Sequence, residues 1–139
     1  KALQPMVALA EEHGVVLQME LFNSLVDHPD YMADSSRWGI ELARALNSPS
    51  FKLLYDIYHM QIMEGNLVAN IKENHQWYGH YHVAGVPGRN EPWESQEINY
   101  PAVMAAIEST GFNGYVALEY LFTTNKKESM ARSFTEFIR

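Results

Sequence analysis

Four apolar runs recur along the chain, at 14–22 (GVVLQMELF), 51–58 (FKLLYDIY), 79–85 (GHYHVAG) and 114–122 (GYVALEYLF). Each has the length of a strand and is followed by a polar or Gly-containing loop and then a helical pattern. The segment KALQPMVALAEEHG ahead of the first run reads as an amphipathic helix. After the first run, Asp34 or Ser35 can cap SRWGIELARAL, in which Trp38, Leu42 and Leu46 recur at i, i+4 and i+8. After the second, Asn66 can cap LVANIKENH. After the third, a long loop, VPGRNEPWESQEIN, leads to Asn99, which caps a helix with Tyr100 and Pro101 in its first turn and Gly111 at its end. After the fourth, Met130, Phe134 and Ile138 repeat on one face. A helix followed by four β-α units predicts a parallel α/β sheet. Near-continuous apolar strands fit a sheet covered on both sides or closed into a barrel. No linker or low-complexity tract divides the chain, so residues 1–139 read as one domain or one contiguous piece of one.

Each run is interrupted by a polar residue near its C-terminal end: Glu20, Asp56, His82 and Glu119, at separations of 36, 26 and 37 residues. That spacing averages close to the ~31 residues per unit of an eight-unit barrel, whose active sites sit at the C-terminal ends of the strands. Alternation along a strand places Gln18, Leu54, His80 and Ala117 in the layer beneath. One such group alone reads as a paired strand-end residue. Three carboxylates and an imidazole at equivalent points of four successive units read as a metal site, because the carboxylates repel one another without a cation. Oxygen ligands with one imidazole suit Mg²⁺ or Mn²⁺, then Co²⁺, with Zn²⁺ less favoured.

Composition narrows the classes. A formal charge of −7 argues against a nucleic-acid groove, and Lys126-Lys127 is the only basic doublet. No apolar run approaches the ~20 residues of a bilayer span. With no cysteine, disulfides, thiolate metal sites and Cys nucleophiles are excluded, which fits a reducing, cytoplasmic setting. The chain lacks an initiator Met and begins in mid-helix, as part of something longer does. His80 reads as a hydrogen-bonded core histidine or one that supports the ligands from behind, not as a ligand, and His13, His28 and His75 as helix-end or loop residues with no role in chemistry. Met60, Met63 and Met104 read as packing, and Trp93 and Phe22 either shield the mouth of the sheet or pack.

The segments LLYDIYHMQIMEGN, GHYHVAGVPGRNEP, EINYPAVM and GFNGYVALEY resemble the hydroxypyruvate isomerase family of xylose-isomerase-like TIM barrels, from about residue 1 to about residue 125. The resemblance implies the C-terminal half of a (β/α)8 barrel, strands five to eight. It places the metal ligands on Glu20, Asp56, His82 and Glu119. It implies a metal-dependent 1,2-proton shift between hydroxypyruvate and tartronate semialdehyde through an enediolate, with Glu20 and Glu119 as the catalytic carboxylates. His59 then hydrogen-bonds a substrate oxygen, or else caps the following helix. Arg89 holds a substrate carboxylate, or else forms a salt bridge to Glu91 or Glu94; Glu91 orients Arg89 or binds substrate. GHYH stands where many of these isomerases have GHIQ, and His82 there matches the ketose 3-epimerases, the alternative activity. GRNEPWESQEINY replaces the Gly-rich GRHEPGTGEINY. A half-barrel also exposes two sheet edges, so a further expectation is a chain inactive alone that forms a homo-oligomer or joins its N-terminal half.

Overall fold

The computed structural model describes residues 1–93 and 95–137. Ile138, expected on the last helical face, and Glu94, one expected partner of Arg89, lie outside the described residues. The chain runs α1 (Gln4–Glu12), β1 (Leu17–Glu20), α2 (Ser36–Leu46), β2 (Phe51–Asp56), α3 (Ile57–Met63), α4 (Leu67–Asn74), a 3₁₀ turn, β3 (Tyr78–Val83), α5 (Tyr100–Ser109), β4 (Val116–Leu118) and α6 (Lys126–Phe137). All strand pairings are parallel and the sheet order is β1-β2-β3-β4, the arrangement of one half of a (β/α)8 barrel. No helix among the described residues is long and apolar enough to cross a membrane.

Local chemistry sets the helix starts. The Ser35 hydroxyl accepts the Trp38 N–H and caps α2, while Asp34 accepts from Ser24 instead. The Asn99 side chain accepts the Ala102 N–H at the start of α5. Asn66 occupies the cap position of α4 in a left-handed conformation, but its side chain makes no capping bond. The expected strand over 51–58 ends two residues early. Asp56 turns the chain there by accepting the N–H groups of Tyr58 and His59, and α3 begins at Ile57. β1 and β4 are likewise shorter than their apolar runs, since each pairs on one side only among the described residues.

The core lies between the sheet and its helices. Leu53, Tyr55, Tyr81 and Val83 are buried on that side with Ile57, Met60 and Ile71. The opposite, interior face carries Leu54, His80 and Glu20, which are only partly buried. A bulge in β3 decides which residues face which way. The register slips between Leu53 and Leu54, which pair with Tyr78 and His80, leaving Gly79 unmatched. Tyr78 and His82 would share a face in an unbroken strand. Instead Tyr78 is buried against Tyr55 and Tyr81, and His82 stands on the interior face. Glycine suits the bulge because a Cβ at Gly79 would lie 2.6 Å from the Gln18 amide and 2.8 Å from Lys52 Cβ.

Candidate metal centre

The four polar residues at the strand ends converge. One ligand atom from each of Glu20, Asp56, His82 and Glu119 lies within 4.8 Å of every other. The ladder explains how. Glu20 pairs with Leu54, two residues short of Asp56; Asp56 pairs with His82; His82 pairs with Ala117, two residues short of Glu119. The set therefore climbs four residues across three strand steps. A barrel of eight strands and shear 8 climbs about one residue per step, so strand tilt brings the four to nearly one level. The long Glu side chains at the two outer strands close the remaining gap.

Asp56 is 1% exposed and its two oxygens are divided in role. Oδ1 takes the Tyr58 N–H at 2.8 Å and the His59 N–H at 3.4 Å, which leaves Oδ2 aimed at the centre. There Oδ2 lies 3.3 Å from Arg89 Nη2, 3.6 Å from His59 Nε2 and 4.0 Å from His82 Nδ1. Burial pushes the Asp56 carboxyl up to about 7, with Arg89 and His82 opposing and Glu20 adding to the rise. His82 Nδ1 also faces Glu119 at 3.0 Å and Glu20 at 3.5 Å. The Glu20, Glu119 and Asp56 carboxylates raise the His82 pKa against its partial burial.

Arg89 enters this ring of acids from the loop after β3. Its guanidinium bonds Asp56 and Glu119 and lies over the Tyr58 ring, 5.2 Å from the centroid. Its backbone is left-handed (φ 56°), held by Leu121, whose N–H donates to the Arg89 carbonyl, and by the Asn90 amide, which donates to the Leu121 carbonyl. The surface salt bridge expected between Arg89 and Glu91 does not form. Glu91 instead accepts from the Thr123 N–H and hydroxyl and from Ser129, away from Arg89. Partial desolvation opposes these bonds, yet they pull Glu91 down to about 2. Glu91 thus ties the loop after β3 to the segment after β4, which satisfies its carboxylate without Arg89 or a place in the ring.

His59 is fully buried at the start of α3. Burial, with Arg89 adding to it, drives it down to about 3, so it is neutral near pH 7. Phe22 packs on His59 and stacks on His28 at 4.5 Å, so His28, in the loop after β1 as expected, also packs against His59. Trp93 packs on Tyr120 and Arg132. His80 packs edge-on to His82 from the layer beneath. Two residues escaped the sequence reading: Asn23 and Asp27, which bond His59 and Tyr58. The available signal was an Asn at the end of an apolar run, a common turn former.

The donor set fits a divalent cation. Three carboxylates converge with one imidazole, and one buried oxygen, Glu20 Oε1, has no hydrogen-bond partner. Arg89 brings positive charge among these acids, and His82 adds to it when protonated. Hard oxygen donors with a single nitrogen suit such an ion.

The chain matches the model of the xylose isomerase-like TIM barrel family over residues 1–139. It belongs to that family. Among curated relatives of this xylose isomerase-like chain, a human protein named putative hydroxypyruvate isomerase is 38% identical over 112 residues, 81% of this chain and 40% of the relative. A 2-oxo-tetronate isomerase from Pectobacterium atrosepticum is 34% identical over 108 residues, 78% of this chain and 40% of the relative. Among solved structures, a family 2 AP endonuclease from Brucella melitensis superimposes with a TM-score of 0.89 at 28% identity, covering 96% of this chain and 51% of that one. The chain thus spans about 40% of the length of these curated relatives.

Proposed function

We propose that this chain carries the metal-binding and proton-transfer residues of an isomerase acting on a small hydroxy-keto acid, with hydroxypyruvate and its product tartronate semialdehyde as the leading pair. The observation that carries the reading is the meeting of Glu20, Asp56, His82 and Glu119 at one point with Arg89 among them. These four would hold a divalent ion, Mg²⁺ or Mn²⁺ first on the chemistry of the donors. Such an ion supplies the charge that offsets the negative charge developing on the substrate oxygens.

The chain's own residues then divide the work. Glu20 and Glu119 come from the two outer strands and flank the centre, so one can take the proton from the hydroxyl-bearing C3 while a carboxylate returns it to C2. The hydroxyl proton moves from the C3 oxygen to the C2 oxygen, and atoms balance without an oxidant. Arg89 presents a guanidinium that already bonds two carboxylates and is suited to the acid end of the substrate. His59, buried and neutral, is suited to hydrogen-bond a substrate oxygen. Ketose 3-epimerisation is the second reading, favoured by His82 at its position. Arg89 among the acids weighs against it, since a neutral ketose offers no carboxylate.

The test is titration of the protein with Mn²⁺ and assay of turnover on hydroxypyruvate, fructose and tagatose. Asp56→Asn keeps the Oδ1 acceptor that caps α3 and removes the charge. It should lower Mn²⁺ affinity at least tenfold with the fold retained by circular dichroism. Unchanged affinity in that variant would remove the central claim, and turnover of ketoses alone would move the assignment to epimerase.

A further inference from the structure

We propose that Asn23 is a positioning residue that holds His59 as its Nε2–H tautomer, making His59 a fixed hydrogen-bond donor to an acceptor oxygen of the substrate and not a base. The proposal rests on reading the centre as a substrate site, and its tautomer half is testable without that reading.

Both residues are fully buried, and their contacts leave one arrangement of hydrogens. The backbone N–H of Asn23, which can only donate, points at His59 Nδ1 at 3.1 Å. The orientation of the Asn23 side chain is set independently. Its Oδ1 accepts the N–H groups of Val26 at 3.1 Å and Asp27 at 2.9 Å, an Asx-type turn that only the amide oxygen can make. Nδ2 therefore occupies the other position, where it donates to Asp27 Oδ2 at 2.7 Å and lies 2.6 Å from His59 Nδ1. Asp27 Oδ2 in turn takes the Tyr58 hydroxyl at 2.8 Å, beneath the ring that Arg89 covers. Two N–H groups thus converge on Nδ1, which must present its lone pair. In a neutral imidazole the single proton is then on Nε2. The opposite tautomer would leave a buried backbone N–H facing another N–H, a loss that disfavours it by on the order of tenfold or more.

The consequence lies at the other end of the ring. Nε2 is buried and has no hydrogen-bond partner, and Asp56 Oδ2 is 3.6 Å away, beyond a normal bond. A donor that is buried, fixed in tautomer and without a partner, 3.6 Å from the Asp56 carboxylate, is placed to take an acceptor oxygen bound at the centre. The carbonyl or hydroxyl oxygen of an α-hydroxy carbonyl compound has that chemistry. Because Nδ1 is already occupied by Asn23, His59 has no free lone pair to accept a substrate proton.

The experiment is a long-range ¹H–¹⁵N correlation spectrum of the uniformly ¹⁵N-labelled full chain, with the His59 signals assigned by their loss in His59→Gln. The expected result is Nδ1 in the unprotonated range and Nε2 in the protonated range. In Asn23→Ala the two shifts should move toward each other as the tautomers mix, with the other five histidines unchanged. A protonated Nδ1 in the wild type, or averaged shifts for both nitrogens, overturns the proposal; the wild-type spectrum decides this even if Asn23→Ala fails to fold. Adding hydroxypyruvate with Mg²⁺ should move the Nε2 signal and leave Nδ1 in place. A response confined to Nδ1 overturns the donor role. No response at either nitrogen counts against hydroxypyruvate as ligand, and so against the isomerase reading, while the tautomer assignment stands on the ligand-free spectrum.

Discussion

The two oxygens of Asp56 face different partners, one the amide N–H groups that start α3, the other the ring of acids with Arg89. This buried carboxylate is thus held from one side by its own helix, which aims the other oxygen. Its elevated pKa has a directional consequence. In the metal-free fold the proton is held to about pH 7, well above the ordinary carboxylate value, so the stability this group contributes is present below pH 4. It is lost as pH rises from about 4 to about 7. A divalent ion must displace that proton and any on His82, whose pKa is also raised. Divalent affinity should therefore climb with pH between 5 and about 7. The slope should be about tenfold per unit for each proton released; calorimetry with Mn²⁺ in buffers of different ionisation enthalpy counts those protons. A flat profile between pH 5 and 7 would place Asp56 outside the binding set. At this scale Glu20, Asp56, His82 and Glu119 were legible because all four are polar residues in apolar runs. Asn23 and Asp27 were not, because they follow an apolar run instead of interrupting it and so give no such contrast.

Elements decide orientation, and β3 does so through one residue. Gly79 sits unmatched in the ladder, and the phase change it creates sends Tyr78 to the core and His82 to the centre. Gly79→Val would drive a branched side chain into Gln18 and Lys52. The expected cost is about 1–3 kcal/mol in urea unfolding, the range for overpacking. Divalent affinity should fall with it, since closing the bulge turns His82 off the interior face. A variant as stable as wild type with unaltered metal binding would show that the bulge does not set the site. The capping signals at Ser35 and Asn99 were readable because a cap is a local event of three or four residues. The slip in β3 depends on the strand beside it and leaves no local mark beyond a glycine. The run 51–58 read as all strand because the apolar residues of α3 continue those of β2 without a polar break.

For the molecule as a whole, the sheet matters as much for its edges as for its centre. Among the described residues β1 pairs only with β2 and β4 only with β3. Val15, Val16, Leu118, Leu121 and Phe122, in or beside those two strands, are exposed. Unpaired parallel edges flanked by apolar side chains favour association with further strands. Sedimentation velocity of this 139-residue chain should therefore give a mass above that of the monomer, rising with concentration; a monomer at all concentrations would contradict it. The alternation of apolar runs and helical patterns determined the parallel α/β class, and polar residues recurring at strand ends determined the set of four candidate ligands. Both follow from the sequence alone, because burial and backbone periodicity act on residues near one another in the chain. Tertiary structure alone decided that the four meet within one small volume, that Arg89 enters the acids while Glu91 leaves them, and that Asn23 faces His59. Those outcomes depend on strand tilt, register and loop closure between residues 25 or more positions apart, where no local propensity acts.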